Sequence, residues 1–167
     1  MGELSSTEQA AVERAQAEPM LDQVLAWSAV NSGSRNLSGL AAMAGLLSDA
    51  FAELPGELEL LDPTRVEAVD AAGKTIELPH GNNLRLTVRR DAPVQLLFTG
   101  HMDTVFAVDH PFQQTCWLDD AVINGPGTAD MKGGIAVMLA ALKAIEASNA
   151  AARVGYEVVL NSDEEVG

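Results

Sequence analysis

Across residues 19–30 the apolar positions Met20, Leu21, Val24, Leu25, Trp27 and Ala29 recur mostly at three- and four-residue spacings. That spacing predicts an amphipathic helix opening at Pro19 and stopped by the Asn31-Ser32-Gly33-Ser34 cluster. A second helix is predicted over 37–54, with Leu40, Met43, Leu46, Leu47, Ala50 and Phe51 on one side and Pro55-Gly56 as its stop. After Gly56 the period shortens, and Leu, Val and Ile runs alternate with turn signals at Ala71-Ala72-Gly73-Lys74 and His80-Gly81-Asn82-Asn83. These read as strands. Residues 84–88 alternate apolar and polar, as in a half-buried strand, whereas the nearly continuous run at 94–98 suits a strand covered on both faces.

Residues 106–127 carry no regular period, and a helix is predicted from 133 to 147 with Ile135, Met138, Leu139, Leu142 and Ile145 turned inward. A last apolar strand is predicted at 154–160. A buried strand, a crossover helix and a second buried strand form a parallel unit, and such sheets receive ligands at the carboxyl ends of their strands. The expected class is α/β: a mixed, mostly parallel sheet flanked by helices. There is no internal repeat and no linker that divides the chain.

Composition narrows the picture. A chain of 167 residues that is 47% hydrophobic and 20% charged is neither disordered nor fibrous, and it is long enough for one core. With 24 acidic against 10 basic residues the formal charge is −14, which repels a polyanion, so nucleic acid is not an expected partner. The polar, acidic opening has no basic head or apolar stretch of a signal peptide, and no run is long enough to span a membrane. No membrane partner and a cytoplasmic setting are therefore expected. One cysteine cannot form an internal disulfide, and Cys116 is expected to lie half-buried beside Trp117.

Three polar clusters fall where this architecture places reactive groups: His101 with Asp103, Asp130, and Glu164-Glu165. In an extended strand His101 and Asp103 share a face, so the carboxylate can hold one imidazole nitrogen and leave the other free for a metal. A lone His-x-Asp also occurs in many cores without function. Glu164-Glu165 follows a central apolar strand, and two adjacent carboxylates repel unless one pKa rises or a cation neutralises them. One glutamate can then ligate while its neighbour exchanges protons. The segment Gly125-Pro126-Gly127-Thr128-Ala129-Asp130 fits neither nucleotide glycine pattern, because Asp130 stands where the dinucleotide fingerprint has its third glycine and Lys132 lacks the phosphate-loop context. Its better use is to thrust Asp130 into the cleft, where it can bridge two cations. Lys132 itself reads as an exposed first-turn lysine.

Three strings together resemble the dinuclear zinc amidohydrolases that include acetylornithine deacetylase, succinyl-diaminopimelate desuccinylase, aminoacylase and glutamate carboxypeptidase. They are Leu97-Phe98-Thr99-Gly100-His101-Met102-Asp103-Thr104-Val105, Gly125-Pro126-Gly127-Thr128-Ala129-Asp130-Met131-Lys132-Gly133-Gly134, and Ser162-Asp163-Glu164-Glu165-Val166-Gly167. The wording is nearest to the glutamate carboxypeptidase branch. The resemblance implies a zinc-exopeptidase-like fold in which His101 binds one zinc, Glu165 the other, and Asp130 both. It implies that Asp103 orients His101, that Glu164 is the general base, and that the Asp130-Met131 peptide bond is cis. It further implies a metallopeptidase, carboxypeptidase or deacetylase that splits an amide of a peptide or N-acyl amino acid through zinc-activated water, with two zinc ions per complete site and cobalt or manganese as substitutes. The family members are more than twice as long. Residues 1–167 thus correspond to the N-terminal part of the catalytic domain, a truncated version lacking a further acidic ligand, a C-terminal histidine and a lid or dimerisation domain. The fragment alone is expected to be inactive, and the full-length protein a homodimer. The alternatives are an inactive metal-binding or structural remnant of that family and, more distantly, a nucleotide-binding domain.

Overall fold

The computed structural model describes residues 4–166. Gly167 of the third string and the first three residues of the opening lie outside the described residues. The chain begins with helix α1 (Ser6–Gln16), which the sequence reading does not anticipate. Its signal is nonetheless local: Ser5 and Glu8 form a reciprocal capping box. Helices α2 (Met20–Ser28) and α3 (Leu37–Phe51) fall where the three- and four-residue spacings place them. The Asn36 side chain caps α3 by accepting from the Gly39 N–H at 3.2 Å. Helix α3 ends three residues before the predicted Leu54, although Leu54 remains buried.

Strands β1 (Glu57–Leu61), β2 (Val66–Val69), β3 (Thr75–Leu78), β4 (Asn83–Val88) and β5 (Val94–His101) follow in order. After them come β6 (Cys116–Trp117), β7 (Ile123–Asn124), helix α4 (Lys132–Glu146) and β8 (Val154–Asn161). The main sheet has the order β1-β4-β8-β5, while β2-β3 and β6-β7 are separate hairpins. The second hairpin lies in the stretch expected to be irregular. Cys116 is exposed there rather than half-buried, because a two-residue strand offers no face to bury it.

The sheet is mixed and flanked by helices, as expected, but it is not mostly parallel. Of its pairings, β5 with β8 is parallel, whereas β1 with β4 and β4 with β8 are antiparallel. Parallel neighbours need a long crossover. Only β5 and β8 have one, through α4. The strand at 94–98 also departs from expectation: among the described residues β5 pairs only with β8, and Leu97 is 66% exposed. Its apolar run is an edge strand with one open face.

The other face of the sheet carries the core. Leu84, Leu86 and Val88 of β4 and Tyr156, Val158 and Leu160 of β8 are buried against Leu40, Met43, Leu47 and Phe51 of α3 and Ile135, Leu139 and Leu142 of α4. Met138 and Ile145, predicted to face inward, are partly buried at its margin. Among the described residues no helix is long and apolar enough to cross a membrane.

Candidate metal centre

The parallel register sets His101, the last residue of β5, beside Asn161, the last residue of β8. Both strands deliver their loops to one end of the sheet, and the Met102 N–H donates to the Asn161 carbonyl at 2.8 Å to keep them together. Beyond β8 the chain makes a short 3-10 turn, Glu164–Val166. Beyond β5 it pairs with the loop at 31–36, since Thr104 N–H donates to the Ser32 carbonyl and Ser34 N–H to the Thr104 carbonyl. Gly33 is required in that loop, because a Cβ there would collide with the Phe106 carbonyl oxygen.

Asp103 is where these segments meet. Its carboxylate has no exposure and accepts from Ser34 Oγ at 2.7 Å, Glu164 N–H at 3.3 Å and Glu165 N–H at 3.1 Å. His101 Nδ1 lies 3.2 Å from the Asp103 backbone oxygen and 3.3 Å from its Oδ1. The Nδ1 proton is thereby committed to Asp103, which leaves Nε2 pointing into the cleft.

Nε2 meets Asp130 Oδ1 at 3.0 Å, and Glu164 Oε2 is 4.0 Å from the same nitrogen. A ligand atom from each of His101, Asp130 and Glu165 lies within 4.8 Å of the other two. The three residues expected to hold metal therefore do converge, with Glu164 beside them. Asp130 comes from the loop before α4, and its peptide bond to Met131 is cis, as the resemblance implies.

The electrostatics show what the cluster lacks. Burial lowers the His101 pKa, but the hydrogen bond to Asp130 and the charges of Asp103 and Asp130 outweigh it, so the net shift is upward. Burial raises the Glu165 pKa, and the Asp130 charge raises it further. With Nδ1–H given to Asp103, Nε2 can face the Asp130 carboxylate either as N–H of an imidazolium or with a cation between them. An imidazole nitrogen and two carboxylates, short of positive charge, suit a divalent ion such as zinc. A cleft of about 290 Å³ lined by Phe106, Phe112, Thr128, Asp130 and Glu165 opens on one side of this cluster. A second, of about 560 Å³, runs between Arg35, Leu37, Val105, Val108 and Glu165.

Two supporting groups escape the sequence reading. Ser34 reaches Asp103 across 69 residues, which no local pattern reveals. Lys132 corrects an expectation: it is 1% exposed rather than a solvated first-turn residue, and its Nζ donates to the carbonyls of Trp27 at 3.1 Å and Val30 at 2.9 Å. Burial pushes its ammonium down to about 8. The one available signal was its position, since a cation at a helix N-terminus opposes the macrodipole and is better placed if its head turns to another helix's C-terminus.

One imidazole and two carboxylates converge near the carboxyl ends of adjacent parallel strands of an α/β domain, a set of side chains that could hold a metal ion. Residues 97–167 match the model of Peptidase family M20/M25/M40. The chain is 37% identical over 89 residues to a probable succinyl-diaminopimelate desuccinylase of Staphylococcus epidermidis, an overlap of 50% of this chain and 21% of that protein. Its fold resembles human carnosine dipeptidase 1, with TM-score 0.70 and 19% identity over 95% of this chain and 34% of that one. A tripeptidase of Staphylococcus aureus aligns with TM-score 0.56 and 26% identity over 87% of this chain and 36% of that one. The chain thus corresponds to about a third of these solved chains and about a fifth of the curated relative.

Proposed function

We propose that this chain is the N-terminal part of the catalytic domain of a metal-dependent hydrolase that cleaves an amide bond in a peptide or N-acyl amino acid. The proposed specificity is like that of glutamate carboxypeptidase. The observation that supports the reading is the approach of His101, Asp130 and Glu165 to within 4.8 Å of one another. In a dinuclear zinc site His101 would hold one ion, Glu165 the other, and Asp130 both. The chemistry supplied when such ions are bound is polarisation of the amide carbonyl and a lowered pKa for water.

The chain's own residues supply the rest. Asp103 fixes the His101 tautomer through Nδ1. Its other acceptor positions hold the Glu164 and Glu165 N–H groups, so one buried carboxylate sets the imidazole and the glutamate pair in a common frame. Glu164, with its side chain 58% exposed, is free to take a proton from a water entering the cleft and return it to the departing amine nitrogen. Phe106 and Phe112 present apolar surface to a substrate in the smaller cleft.

The test is a zinc-loaded assay of the gene product that carries this chain against acylated amino acids and dipeptides. Glu164→Ala is expected to remove turnover while leaving metal content nearly unchanged. Turnover that survives this substitution takes Glu164 out of the mechanism.

A further inference from the structure

A buried lysine normally finds a carboxylate. Lys132 forms no ion pair among the described residues; its two acceptors are main-chain carbonyls at the end of α2. The Trp27 carbonyl belongs to the last turn of that helix, where it also accepts the Val30 N–H at 3.1 Å, and the Val30 carbonyl lies just beyond it; the helix dipole is negative at this end. The same chain segment continues into the loop at 31–36, which supplies Ser34 to Asp103.

The other end of Lys132 sits in the Asp130 loop. Its backbone N–H donates to the Gly127 carbonyl at 2.8 Å, and its stem lies over Gly127, where a Cβ would come within 2.8 Å of Cδ. Gly127 also has φ +74°, a conformation that favours glycine. Thr128 closes the turn by donating from Oγ1 to the Gly125 carbonyl at 2.8 Å. Asp130 itself is poorly restrained: its side chain is 76% exposed, and His101 is its one hydrogen-bonded side-chain partner among the described residues. Where its carboxylate points is therefore decided by the backbone of this loop.

We propose that Lys132 is the positioning residue for Asp130, a cationic strut that ties the Gly127–Asp130 loop to the end of α2 and so brings the Asp130 and His101–Asp103 halves of the site into one frame. The proposal rests on the metal reading above. It assigns no proton transfer to Lys132, whose head group points away from the cleft toward α2.

Zinc titration calorimetry on the chain, with thermal unfolding of the metal-free forms alongside, tests it. Lys132→Met keeps the stem's bulk and removes the donors, and it is expected to weaken zinc binding roughly ten- to hundredfold, the usual effect of losing a group that orients a metal ligand. Lys132→Arg restores donors to the two carbonyls and should recover part of that affinity. Lys132→Met binding zinc within roughly twofold of the parent overturns the proposal even if it unfolds at lower temperature, because the lysine then supports only the fold. Lys132→Arg no better than Lys132→Met overturns the donor role. If Lys132→Met does not fold, Lys132→Gln decides, since its shorter stem cannot carry donors to both carbonyls: weaker zinc binding supports the strut and unchanged binding overturns it. A parent chain that takes up no zinc removes the metal reading and this proposal with it, whereas normal parental binding with an unaffected variant removes the proposal alone.

Discussion

Asp103→Asn changes one atom, yet the hydrogen bonds around it make the change expensive. The carboxylate is fully buried and accepts Ser34 Oγ and Glu165 N–H on Oδ2, and Glu164 N–H on Oδ1. An asparagine must present its NH2 at one of those positions. At either one it faces a backbone N–H that cannot reverse its polarity, so at least one charge-assisted bond is lost and two donors confront each other. Loss of a hydrogen bond to a charged group costs about 1.5–3 kcal/mol, and an unsatisfied buried donor about 1–3 kcal/mol. Removing a negative charge near Glu165 offsets part of this, because Asp103 is one of the groups that raise the Glu165 pKa. A net loss of about 3 kcal/mol is expected, or roughly 6–12 °C in the unfolding midpoint for a chain of this size. The imidazole keeps the Asp103 main-chain oxygen but loses the carboxylate charge beside Nδ1, so zinc affinity should fall about tenfold. Thermal unfolding of the metal-free chain and zinc calorimetry read the two effects separately. A loss under about 0.5 kcal/mol with unchanged zinc affinity would refute the role given to Asp103.

Ser34→Ala removes one of the three donors to that carboxylate and leaves the backbone pair in place, so chemical denaturation should show a smaller loss, about 1.5–3 kcal/mol. Combined with Asp103→Asn it should cost less than the sum of the two, and strict additivity would show that the two groups do not interact. The pH dependence has a definite sign. The folded His101 pKa is raised, so its stabilising contribution is complete below the ordinary imidazole value of about 6.5 and lost as pH climbs through the raised value. The raised Glu165 pKa acts in the same sense, favouring the protonated folded state. The metal-free chain should therefore melt at lower temperature at pH 7.5 than at pH 6, while the stabilisation conferred by zinc grows over the same interval as protons cease to compete. A midpoint that rises with pH in the absence of metal contradicts the assignment of His101 as an imidazolium held by two carboxylates.

The parts of this protein that were legible in its sequence are those whose cause is local. The β5–α4–β8 unit shows in the change of hydrophobic period, and the parallel register of that unit is enough to bring His101 and the Glu164-Glu165 turn to the same sheet end. Asp130 follows because a glycine-rich turn precedes the crossover helix. Groups held by long-range contacts were not legible. Lys132 reads as solvated from its neighbours, and only a helix terminus 102 to 105 residues away explains why it is buried. The run at 94–98 looks like a central strand because composition reports apolar content and not the number of neighbouring strands. The sequence likewise suggests a mostly parallel sheet, since the crossover helix is conspicuous in it whereas the antiparallel pairing of β4 with β1 and β8 leaves little local mark.

The central claim is that His101, Asp130 and Glu165 hold a divalent ion together. An anomalous difference map at the zinc edge, from crystals of this chain grown with zinc, tests it most directly. The account predicts a peak bounded by His101 Nε2 and the carboxylates of Asp130 and Glu165. Zinc found only elsewhere on the chain, with those three side chains turned apart, would contradict it.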